Sequence, residues 1–159
     1  MKLSNALVRG LAAGAAGSSA LNAVGYAEMA VRGRAASETP SKVVQQLAKR
    51  TWAAKFGRED ASAPTKHRRS ALGSLSGLGV GLGVAVVYAL LRSKVRIPPL
   101  VGAFVLGAAA MASSDLPAKR LGVTDPATWS VLDWISDIVP HAAYGLGAAY
   151  TLEMLAPKT

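Results

Sequence analysis

The run Ala71–Leu91 carries no charged residue and is apolar apart from two serines and a tyrosine. As a helix rising about 1.5 Å per residue it reaches about 30 Å, the thickness of a bilayer's hydrocarbon layer. Within it Gly73, Gly77 and Gly81 recur every fourth residue, and Gly79 with Gly83 adds a second pair. Overlapping small-residue patterns in such a run predict a face on which two helices pack closely, within the chain or between copies. A phosphate-cradling loop is the competing idea. It fails because no Lys-Ser/Thr follows and the glycines lie inside the apolar stretch.

The rest of the chain has the same character. Of its 159 residues 51% are hydrophobic but only 6% aromatic, and the apolar mass is mostly Ala, Gly, Val and Leu. A soluble core of this kind would lack large side chains, whereas a membrane bundle uses small residues to bring helices together. Leu7–Val31 is a second candidate span. A signal peptide is its rival reading, but Arg9 interrupts the apolar region and leucine is sparse there. Residues 99–116 form a third span, closed by Asp115 and Pro117. Residues 126–155 form a fourth, opened by Asp125 as N-cap and Pro126 at the first helical position. Trp129 and Trp134 lie in its first turns, where an aromatic belt belongs. Pro140 is interior and predicts a kink.

The polar connector Arg32–Arg69 holds ten of the 18 Lys and Arg residues. Within it, residues 40–57 read as an amphipathic helix, with Thr39 as N-cap and Val44, Leu47, Ala48, Trp52 and Phe56 on one face. Either it lies on the membrane surface, anchored by Trp52 and Phe56, or it packs on the bundle as an ordinary surface helix. Residues 58–70 read as a mobile linker. The expected fold is therefore all-α: one domain over residues 1–159, an integral-membrane antiparallel four-helix bundle with an added interfacial helix. Lys119 and Arg120 bring the bases on the connector side to twelve, against six on the other. The positive-inside rule then puts the connector in the cytoplasm of a bacterial inner membrane and both termini outside.

Net charge is +9. The bases border apolar segments and no aromatic-interleaved basic motif is present, so anionic lipid headgroups fit as the partner at the basic connector and nucleic acid does not. There is no cysteine, which excludes disulfides and thiolate chemistry. No G-x-S-x-G or HExxH motif occurs, so the chain reads as non-enzymatic, with no cofactor and no metal.

One polar stripe stands out. Asp133, Asp137 and His141 are spaced i, i+4, i+8, and Tyr144 follows on nearly the same face. Ionisable residues in a membrane helix are costly, so such a stripe is a candidate for proton or cation handling, and its donor types also suit a divalent metal. One helix rarely closes a site alone. Asp115 and Glu28 are the acids that other segments could supply, and Asp115 is placed to meet Asp133. The alternative is structural. Asp133 and Asp137 would be wet acids near a helix start, His141 would bond Tyr144 or a backbone carbonyl, Glu28 would pair with Arg32, and Asp115 with Lys119.

The segments YAEM (Tyr26–Met29), TPSKVVQQLA (Thr39–Ala48) and GVTDPATWSVLDWISDIVPHAAYG (Gly122–Gly145) together resemble small multi-pass membrane proteins of high-GC actinobacteria, and more distantly the YagU-like inner-membrane proteins. The resemblance implies fold and location and carries no activity. Two roles follow as expectations. The first is a structural or accessory protein that packs through its small-residue faces, as a homo-oligomer or in a larger membrane complex. The second is a small proton or cation channel or transporter that uses the Asp133/Asp137/His141 stripe.

Overall fold

A computed structural model of the chain describes residues 3–51, 57–58, 62–92, 95 and 97–156. Trp52 and Phe56, the expected surface anchors, lie outside the described residues. Those described form helices α1 (Leu3–Arg32), α2 (Thr39–Lys49), α3 (Ala63–Arg92), α4 (Pro99–Arg120) and α5 (Val131–Met154), and a 3-10 turn at Pro126–Thr128. No strand occurs among them. The four long helices alternate in direction and surround a common core in the order α3, α1, α5, α4, with the α3–α4 edge the least closely packed.

Helix ends account for most departures from the expected boundaries. α1 stops because Gly33 takes φ +62° and the Arg34 N–H reaches back to the Met29 carbonyl at 3.3 Å. This is the six-to-one bond of a Schellman cap. α4 ends the same way at Gly122, φ +69°, with the Val123 N–H on the Ala118 carbonyl at 2.9 Å. The expected stop at Pro117 is therefore displaced to Arg120. Pro117 removes one ladder bond but does not end the helix, and the glycine does. α5 begins at Val131 instead of Pro126. Ser130 accepts the Asp133 N–H at 3.2 Å and Asp133 accepts the Ser130 N–H at 2.9 Å, a complete capping box. Asp125 caps only the short turn, through the Ala127 N–H at 3.2 Å. Lys119, 3.1 Å from Asp125, holds that exposed carboxyl below its ordinary range.

The segment expected as a linker, residues 58–70, is helical from Ala63. Ser62 supplies the first carbonyl, to the Lys66 N–H at 3.1 Å, and Pro64 sits in the first turn, where its missing N–H costs nothing. α2 ends at Lys49, short of the expected 57, and its N-cap is Glu38, one residue before Thr39. It packs on α3: a Cβ on Gly73 would lie 2.8 Å from the Pro40 carbonyl carbon.

The core is made of small residues. Ala13, Ala85, Ala89, Ala103, Ala148 and Ala149 surround Tyr88, Leu106 and Tyr144. Glycines bring the backbones together: a Cβ on Gly10 would lie 2.6 Å from Val86 Cα, and one on Gly145 only 2.0 Å from the Ala103 carbonyl oxygen. Most of the large apolar side chains point outward, among them Leu75 (62% exposed), Phe104 (78%) and Val131 (77%). Two helices, α3 and α4, are long and apolar enough to cross a membrane. Only 22% and 28% of their most apolar stretches is buried, unlike the core helix of a water-soluble protein.

Of the three glycines expected on one packing face, Gly73 meets α2, and Gly81 meets Ser18 of α1 and Tyr144 of α5. Gly77 faces open space. The face is thus divided among three partners. The closest backbone-to-backbone contacts between helices come instead from Gly10 and Gly14 of α1 and Gly145 of α5. The Gly10–Gly14 spacing carries the same small-residue signal as the α3 run.

Candidate functional site

Three titratable side chains converge where α4 meets α5. The seam can close because Gly107 lies against the His141 backbone and Gly145 against Ala103. Asp115, near the end of α4, approaches the carboxyl of Asp137 and lies beside the His141 ring. Asp137 is six residues into α5 and His141 ten, so they sit about 9 and 15 Å from its start. The His141 side chain is 15% exposed and that of Asp137 21%.

The bonds within this group are incomplete. His141 Nδ1 lies 2.8 Å from the Asp137 backbone carbonyl and 3.4 Å from its Oδ1. A carbonyl only accepts, so Nδ1 carries the hydrogen, and when the ring is neutral Nε2 is left as an acceptor. Pro140, next in the chain, has no N–H and leaves the Ser136 carbonyl without its ladder donor. Asp115 Oδ1 has the Ser114 hydroxyl at 3.4 Å. Asp137 Oδ2 is buried and has no hydrogen-bond partner among the described residues. A buried carboxylate oxygen left in that condition is rare and calls for a proton, water or ion.

The other expected members lie elsewhere. Asp133 turns back into the capping box at Ser130 and does not meet Asp115. Glu28 is held by Arg32, by Arg34 Nε at 2.6 Å and by the Ser136 hydroxyl at 3.0 Å. This cluster ties α1 to α5 at the connector end and neutralises Glu28. Tyr144 is 1% exposed, and its hydroxyl donates to the Gly81 carbonyl across the bundle, not to His141. Lys119 pairs with Asp125, not with Asp115. The stripe thus separates: Asp137 and His141 remain together, Asp115 joins them, and Asp133, Glu28 and Tyr144 are bonded elsewhere.

Sequence reasoning missed Arg34 and Ser136. Arg34 lies outside the helix repeat, and Ser136 has no signal beyond being a hydroxyl beside Asp137. It also missed the pair Arg92–Glu153, which ties α3 to α5 at the far end. Among the described residues no group of three His, Cys, Asp or Glu is placed to hold a metal ion.

Along the same seam, on the far side of His141, lies an apolar groove of about 440 Å³. Leu100, Phe104 and Met111 of α4 and Ile138, His141 and Leu146 of α5 line it.

No protein-family model matches the chain, and neither does any curated protein or solved structure.

Proposed function

We propose that the chain is a non-enzymatic, four-span protein of the bacterial inner membrane that binds and releases protons at the α4–α5 seam. The small-inside, large-outside arrangement of α1, α3, α4 and α5 supports the membrane reading. In water it would leave Leu, Val, Ile and Phe side chains unburied on every long helix. In a bilayer those side chains meet lipid and the glycine faces drive packing. The excess of bases on the connector side supports a topology with residues 32–70 in the cytoplasm, against anionic headgroups, and both termini outside.

The single observation that carries the functional reading is the unpartnered Oδ2 of Asp137 beside Asp115. Two carboxylates this close in an apolar layer repel each other, and a proton shared between them satisfies Oδ2 and removes the repulsion. His141 Nε2 is the acceptor one turn deeper. The pair loads from the connector side, and transfer to Nε2 leaves a carboxylate stabilised by the imidazolium next to it. The donors are not arranged for a metal ion, so a proton suits the site better than a divalent cation.

The test is proton flux into vesicles that contain the purified protein and a trapped pH dye. Under an imposed gradient the wild type is expected to conduct, and Asp137→Asn to fall about tenfold or more, since general acid–base groups contribute about 10²–10⁴-fold. Absence of flux in the wild type, or flux that survives the substitution, overturns the reading.

One observation favours a second reading, a packing or accessory role. Gly77, Gly79 and Gly83 of α3 face open space beside exposed Leu75, Leu78 and Val87. A second helix would fit there, from another copy or a larger complex. Cross-linking in native membranes that captures only monomer removes that reading.

A further inference from the structure

The outer surface of the bundle has one long break in its large apolar side chains, and it lies on α1. From residue 12 to residue 25 this helix exposes no large apolar side chain, the longest such interval on the four long helices. Ala12, Ala15, Ser19 and Asn22 are exposed there instead. Their spacing of three, four and three residues keeps them on one seam, in the repeat by which two helices wrap around each other.

Asn22 sets this seam apart from an ordinary stripe of small residues. It is thirteen residues from Arg9 and ten from Arg32, so about 20 and 15 Å from the charged ends of α1, near the middle of the span. Its carboxamide meets no partner among the described residues, whereas Ser19 donates to the Ala15 carbonyl at 2.9 Å. Hydrocarbon satisfies neither the two N–H donors nor the carbonyl, and polar side chains at that depth pair with one another. We propose that this face of α1 is covered by the same face of a second copy of the chain. Copies inserted in one direction and related by a two-fold axis along the membrane normal set their α1 helices parallel, with equal residues at equal depth. Asn22 then meets Asn22, and the group is self-complementary: an N–H of each donates to the carbonyl of the other. A different protein would need an amide or hydroxyl at the matching depth, which a second copy has by symmetry. Ala12, Ala15 and Ser19 let the two backbones come close enough for that bond. The inference rests on the membrane reading and not on proton binding, and it concerns α1, not the open glycines of α3.

The test is oxidative cross-linking in native membranes, made specific by the absence of cysteine from the chain. Ser19→Cys is expected to give a disulfide-linked dimer, and Phe104→Cys, on α4, to give none. Sedimentation equilibrium of the full chain in density-matched detergent should then show a dimer. Asn22→Ala is expected to weaken it about threefold to thirtyfold, the range for polar side chains that bond across membrane helices. Ala15→Phe adds bulk at an exposed position and should abolish the dimer while leaving the helix content unchanged. A monomeric wild type, an affinity unchanged in Asn22→Ala, or linkage of Ser19→Cys to a different polypeptide overturns the inference. So does linkage through Gly83→Cys of α3 in place of Ser19→Cys. Release of the wild type from membranes by alkaline carbonate would overturn the membrane reading itself, and the inference with it.

Discussion

Gly145→Ala is expected to lower the thermal midpoint of the detergent-solubilised bundle sharply, while Gly77→Ala raises it slightly. The two substitutions add the same methyl group in helix interiors. At Gly145 the new Cβ would lie 2.0 Å from the Ala103 carbonyl oxygen and 2.9 Å from the Gly107 nitrogen. Both are backbone atoms of α4 and cannot rotate aside, so the helices must separate. Overpacking in a close-packed core costs about 1–3 kcal/mol, and with backbone on the other side the upper end applies. At Gly77 nothing lies within 4 Å, and replacing a helical glycine recovers about 0.5–1 kcal/mol of backbone entropy. Melting curves followed by circular dichroism decide the matter, and equal shifts in the two variants would contradict the backbone-to-backbone seam. The functional site depends on that contact, because the same seam sets Asp115 against Asp137.

Asp137→Leu is expected to stabilise the protein by about 1–3 kcal/mol while removing proton binding. The wild type holds the Asp137 carboxyl out of water beside a second carboxyl, and burying such a polar group carries a desolvation cost of about that size. Leucine removes the cost and fills similar space. The principal bond of His141 survives, since its Nδ1 donates to the backbone carbonyl of residue 137 and not chiefly to the side chain. Replacing buried charge by apolar bulk is often neutral or stabilising. A stability gain with loss of function would mark Asp137 as kept for its chemistry. A fall of the thermal midpoint in Asp137→Leu would mean that the carboxylate supports the fold, and the functional reading would lose its main support.

The all-helical architecture was legible because its causes are local. Predominantly apolar runs of 18 residues or more, separated by charge, admit little else. The polar stripe on the fourth segment was legible too, from spacing alone. What the sequence hid was the partner of each acid. Asp133 and Asp137 look equivalent at i, i+4, yet Ser130 three residues before Asp133 captures it in a capping box. The residues Ser-x-x-Asp hold that information, but Asp125-Pro126 is the stronger start signal and masks it. Asp115 joins Asp137 because Gly122, not Pro117, ends α4. The extra helical turn carries Lys119 toward Asp125 and leaves Asp115 inside the seam. The groove was illegible for a different reason. It arises from the close approach of Gly107 and Gly145 on helices about 40 residues apart in the chain, and no single-segment pattern encodes such a space.

The most direct test of the central claim is the protonation of the seam itself. Infrared difference spectra of the protein in bilayers at neutral pH, with aspartate carboxyls isotopically labelled, report a protonated carboxyl by its C=O stretch. One such band is expected in the wild type, lost in both Asp115→Asn and Asp137→Asn because the two groups share a single proton, and retained in Asp133→Asn. Absence of the band in the wild type, or its survival in either seam variant, would contradict the shared-proton site.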